Sequence, residues 1–109
     1  MNPRRGDLVT VAFKGPYTGK PRPALVVQSN DAADLSSVVV CPVTSDLTEG
    51  APLRVRVQPG NANNLQQASD VMVDKLSAVP RQAVSAAFGR VTEAQLVLVD
   101  IALRVLLAV

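Results

Sequence analysis

Lys20-Pro21-Arg22-Pro23-Ala24-Leu25-Val26-Val27 sets one arginine between two prolines at the mouth of a short apolar run. Each proline fixes its own φ and biases the residue before it, Lys20 or Arg22, toward extended backbone. Neither can donate a ladder hydrogen bond, which predicts a strand entrance here. Ala24 to Val27 then reads as a buried strand of a small barrel or sandwich. A guanidinium on backbone stiffened in this way is preorganised for phosphate or carboxylate. A surface arginine at a loop end is the plainer reading of the stretch taken alone.

Upstream, Gly6-Asp7 signals a turn, and Leu8-Val9-Thr10-Val11-Ala12-Phe13 reads as the first strand. Lys14 to Pro21, with its glycines and prolines around Tyr17, is a loop that delivers the chain into Arg22. Downstream, a turn over 29–36 leads to Ser37-Val38-Val39-Val40-Cys41-Pro42-Val43, a third and again continuously apolar strand. It ends in Thr44-Ser45-Asp46, which read either as turn capping or as hydroxyls placed where a buried strand stops. Leu53-Arg54-Val55-Arg56-Val57 alternates apolar inward and arginine outward. The polar stretch 58–69 is the longest loop. Val71 to Val79, interrupted by Asp74-Lys75, reads as one bent or bulged strand, followed by a helical turn at Pro80 and a short strand within 87–91. Thr92 and Gln95 form a capping-box pattern that opens a helix running to about Leu107. That helix carries Glu93, Asp100 and Arg104 as a narrow stripe and is apolar almost everywhere else, so it must cover the barrel and a second subunit as well.

The chain of 109 residues suits a single domain, 1–109. With 48% apolar residues it folds, and with aromatics at only 3% it is a poor candidate for stacking nucleobases on aromatic platforms. A net charge of +2 is too small for a general polyanion binder. Residues 1–22, however, hold Arg4, Arg5, Lys14, Lys20 and Arg22 against Asp7 alone, a local surplus suited to phosphate. Histidine is absent and Cys41 is the one cysteine, so no disulfide and no Cys/His metal cluster can be built within one chain. Any catalysis must proceed without the commonest general base. Met1 to Asp7 is polar, and the C-terminal apolar stretch carries charges expensive in hydrocarbon, which predicts a soluble cytoplasmic protein with no membrane association.

Arg5-Gly6-Asp7-Leu8-Val9, Arg22-Pro23-Ala24-Leu25-Val26-Val27 with Asn30, and Val40-Cys41-Pro42-Val43-Thr44-Ser45, in that order, resemble the MazF/PemK toxins of bacterial toxin–antitoxin systems. Val71-Met72-Val73-Asp74-Lys75-Leu76 and the C-terminal helix extend the likeness over nearly the whole chain. The resemblance implies a mainly β fold, an SH3-like β-barrel with a C-terminal helix, paired as a homodimer. It also implies a metal-free endoribonuclease, without cofactor, that cuts single-stranded RNA and is neutralised by a cognate antitoxin. Operator DNA would be met only through the antitoxin complex. The family's catalytic arginine and threonine match Arg22 and Thr44, and an acid often found on the flanking strand matches Asp74, a candidate base or steering charge that reads equally well as a turn residue. Lys14, Tyr17, Lys20, Ser45 and Lys75 are the candidate RNA contacts around them, and Arg22, Arg54 and Arg56 suit an acidic antitoxin segment. Relatives follow the acid with Gln, where this chain has Lys75-Leu76-Ser77. The same fold group includes CcdB-like gyrase inhibitors, which end in Trp-Gly-Ile; this chain has no Trp and ends Leu106-Leu107-Ala108-Val109. A member degenerate in catalysis, keeping only antitoxin and operator binding, is the third reading, and intact Arg22 and Thr44 argue against it.

Overall fold

The structure, a computed structural model, describes residues 2–12 and 20–109. Its strands are β1 (Asp7–Val11), β2 (Arg22–Val26), β3 (Ser37–Thr44), β4 (Arg54–Val57), β5 (Ser69–Met72), β6 (Ser77–Pro80) and β7 (Gly89–Arg90), with one helix, α1 (Glu93–Leu107). The strands form one curled, seven-stranded antiparallel sheet in the order β4-β5-β3-β2-β1-β7, with β6 also on β3. β3 is the spine. Its first half pairs with β6 from Ser37 to Val40, and its end pairs with β5 at Val43 and Thr44. Pro42 lies between these two registers. Val39 turns its N–H and C=O toward β2, binding the Gln28 side chain and the Val27 N–H. By alternation, Pro42 turns the other way, and its missing donor falls in the gap where β3 changes partners.

The continuous apolar runs of β2 and β3 have a plain cause: the sheet is covered on both faces. On one face Leu8, Leu25, Cys41, Val43, Val55, Val57, Val71 and Val73 pack with Leu96, Val99 and Ala102 of α1. On the other, Val9, Val11, Ala24, Val26, Val38, Val40 and Val79 form a second cluster. The expected single strand over 71–79 is instead two strands, β5 and β6, joined by a 3₁₀ turn at Val73–Lys75. Fully buried Val73 pins that turn, donating to Leu53 O while its own carbonyl accepts from Leu76. Both strands can therefore use the same edge of β3, one after the other.

The capping box of α1 is present as predicted: Thr92 Oγ1 accepts from Gln95 N at 3.1 Å, and Gln95 Oε1 accepts from Thr92 N at 2.7 Å. Only a narrow strip of the helix meets the sheet. Val97, Leu98, Ile101 and Val105 stay 52–66% exposed. Arg5 braces the helix to the sheet by donating to Asp100 and to Val27 O, while Arg90 binds Asp7. The basic surplus of the N-terminal segment is thus partly consumed in holding the fold. Among the described residues, no helix is long and apolar enough to cross a membrane.

Candidate functional site

Strand register decides what meets what. β2 and β3 pair Ala24 with Pro42, Leu25 with Cys41 and Val26 with Val40. Continuing that ladder by two residues sets Arg22, the first residue of β2, opposite Thr44, the last of β3. Partners across an antiparallel pair share a face, so the guanidinium and the hydroxyl emerge together at the end of both strands. They line one cleft of about 710 Å³. Pro42, Val43 and Met72 contribute apolar wall to it, and Ser45, Asp46, Lys75 and Ser77 polar rim.

Arg22 is exposed and has no carboxylate within ion-pair distance among the described residues. Pro21 and Pro23 hold its backbone on either side, as anticipated. Thr44 Oγ1 accepts from Asp46 N at 3.0 Å. The capping and functional readings of Thr44-Ser45-Asp46 thereby coexist. Accepting at that oxygen leaves the hydroxyl able to donate its own proton to a partner.

Ser45 and Lys75 join Arg22 and Thr44 in the cleft. Lys20 is exposed on the approach to β2 but is not part of the lining. Lys14 and Tyr17 lie outside the described residues. Asp74 stands apart: it is absent from the cleft lining, and Arg54 engages it with Nε at 3.2 Å from Oδ1 and Nη2 at 3.5 Å from Oδ2. The turn that pins Val73 sets the next side chain against Arg54 of β4. Asp74 thus lies at the turn, paired with Arg54 outside the cleft lining. Pro42, Met72 and Asp46 fall within the quoted motifs, but only the register places them in the cleft as site residues. Their only signals are strand alternation and the neighbouring Thr-Ser hydroxyls.

Arg54 and Arg56 point outward, but each is tied to a carboxylate, Arg54 to Asp74 and Arg56 to Asp70. Arg56 Nε donates to Asp70 at 2.6 Å, and Asp70 is buried. That hydrogen bond raises the Arg56 pKa further. Burial pushes the Cys41 thiol up to about 12, with nearby Arg5 opposing and Asp74 adding to the rise. Cys41 is therefore a core residue and not a nucleophile at neutral pH. A smaller hollow of about 340 Å³ between Arg4, Arg5, Arg90 and the start of α1 has two of its three arginines held in the ion pairs above. Among the described residues, no group of His, Cys, Asp and Glu side chains is arranged to hold a metal ion.

Comparison with known proteins places the chain in a family. The chain is 42% identical over 106 residues to a probable endoribonuclease MazF of Mycolicibacterium smegmatis, covering 97% of each. Its fold matches the Mycobacterium tuberculosis toxin MazF-mt6 with a TM-score of 0.79 at 21% identity, over 94% of this chain and 97% of that one. It also matches a mycobacterial endoribonuclease in complex with its cognate antitoxin, with a TM-score of 0.76 at 22% identity, over 99% and 95%. MazF of Deinococcus radiodurans matches with a TM-score of 0.78 at 25% identity, over 100% and 99%. The family model for the PemK-like, MazF-like toxin of type II toxin–antitoxin systems matches residues 4–107, and the chain belongs to that family.

Proposed function

We propose that the protein is a toxin that cuts single-stranded RNA by internal attack, with Arg22 and Thr44 at the reacting phosphate. The observation that carries this is the register continuation that sets the Arg22 guanidinium, without a carboxylate partner among the described residues, opposite the Thr44 hydroxyl, at the end of two buried strands. The 2′-oxygen bonds to phosphorus, the bond from phosphorus to the 5′-oxygen breaks, and the 2′-OH proton ends on the departing 5′-oxygen. Products are a 2′,3′-cyclic phosphate and a free 5′-OH. Negative charge grows on the phosphoryl oxygens during attack, and fixed donors aimed there stabilise the transition state more than the ground state. The route drawn here runs through Arg22 and Thr44 and assigns no step to a metal; among the described residues Asp46 is the one carboxylate lining the cleft. Asp74 remains at most a steering charge one turn away.

The partners follow from the same cleft. A segment rich in acidic and apolar residues, disordered until bound, suits the basic rim and the Pro42–Met72 wall, and would compete directly with RNA. We assign this role to the cognate antitoxin; operator DNA would be reached only through that complex. A second copy of the chain is the occupant assigned to the exposed side of α1. The gyrase-inhibitor alternative has no comparable observation behind it.

The deciding experiment incubates the purified protein with a mixed RNA pool in EDTA and sequences the new 5′ ends. Discrete 5′-OH ends are expected, along with resistance of any strand carrying 2′-deoxyribose at the scissile position. Cutting of that deoxy strand would sink internal attack.

A further inference from the structure

We propose that Arg56, braced by Asp70, is a second phosphate-binding position for the RNA strand, beside the scissile site and not at it. This rests on the reading of the cleft as an RNA site. Three registers align one row across the sheet: Arg56 opposite Asp70, Asp70 opposite Thr44, and, by continuation, Thr44 opposite Arg22. Cross-strand partners share a face. Arg56 therefore projects on the same side as the Arg22–Thr44 pair, about 14 Å from Arg22 along the sheet at roughly 4.8 Å per strand spacing. With its Nε tied to Asp70 on the next strand, the Arg56 guanidinium is held over β4 and β5 and not over the Arg22–Thr44 pair, beneath a neighbouring part of the same RNA strand.

Arg56 is built for such a contact. Its Nε is committed to Asp70 at 2.6 Å, which holds the side chain in one direction, while its side chain stays 46% exposed. The Nη groups keep their donors in the planar fork that matches phosphate. Arg54 is less available: it is more covered and gives both Nε and Nη2 to Asp74. Arg5 and Arg90 are spent on bracing α1 and β7. Asp70 is buried, so an orphaned carboxylate would destabilise the fold if Arg56 alone were removed.

The test therefore uses Arg56→Gln/Asp70→Asn, which removes one charge of each sign and leaves the net charge unchanged, with Arg56→Gln alone as a second variant. Binding of a mixed-sequence 2′-O-methyl RNA, which internal attack cannot cut, is measured over a salt series, with thermal melting as the fold control. Loss of one phosphate contact should weaken binding and flatten the slope of log K against log salt by about 0.7. Wild-type affinity and slope in both variants would overturn the proposal. Weaker binding with an unchanged slope would also overturn it, and would assign Arg56 to a base. Wild-type protein that binds this strand but never cuts the ribose form would refute the nuclease reading and leave Arg56 standing.

Discussion

At the scale of single residues, the proposed chemistry rests on side chains that the core does not need. Arg22 is exposed and Thr44 half-buried at a strand end. Arg22→Ala and Thr44→Ala should each lower kcat on RNA by about 10²–10³, the usual loss for one preorganised donor. Melting temperatures should stay near wild type, and an active Arg22→Ala protein would count against the assignment. Asp74→Asn should leave kcat within a few-fold, because its carboxylate faces Arg54 outside the cleft. A loss as large as that of Arg22→Ala would return Asp74 to the site. Cys41 reports on the core. Its folded pKa, about 12, lies above the thiol's ordinary value of 9.0. The native state then holds its proton where the unfolded chain releases it. Stability is complete below about pH 9 and falls as pH rises toward 12. Denaturant unfolding at pH 8 and 10 should show that decline, and it should be smaller in Cys41→Val.

At the scale of elements, short-range signals did most of what they promised. Thr92 and Gln95 cap α1 as their spacing requires, and the prolines of 21–23 stand at a strand entrance. The limits of local reading show in 71–79, where Asp74-Lys75 marks an interruption but does not say that it separates two strands. That break exists because β3 offers one edge to both strands and Val73 is pulled into the core. Gly89 is a similar case. Nothing in Phe88-Gly89-Arg90 says why glycine is needed, but a Cβ there would lie 2.9 Å from the Asn63 Cα and closer still to its carbonyl. Asn63 is buried and organises the 58–68 loop, accepting from Gly60 N and Leu65 N and donating to Gln58 O. Gly89→Ala should cost about 1–3 kcal/mol by overpacking this contact, read as a drop in the urea midpoint with an unchanged m-value. Wild-type stability would mean that the loop yields freely.

At the scale of the whole molecule, the unpartnered side of α1 is the main unfinished surface. A second copy covering it gives an isologous pair, the commonest closed assembly. Light scattering at high micromolar concentration should return a dimer mass. Ile101→Lys, at a position 55% exposed, should shift it to monomer without lowering helix content; a wild-type monomer would refute the pairing. The sequence by itself determined the mainly β class, the helix and its cap, the strand-end placement of Arg22 and Thr44, and the lack of histidine chemistry. These depend on φ restriction, apolar continuity and residue type, which act locally. It did not determine which charges are free. Arg54 and Arg56 look alike in an alternating strand, and Asp70 and Asp74 look alike in the next. Only the pairing register of β4, β5 and β3 sets Arg56 against Asp70 and lines it up with Thr44, and only the turn between β5 and β6 sets Asp74 against Arg54 outside the cleft. Register is set by contacts between residues distant in the chain, where burial on both faces of a curled sheet selects one alignment among several that local pattern allows equally.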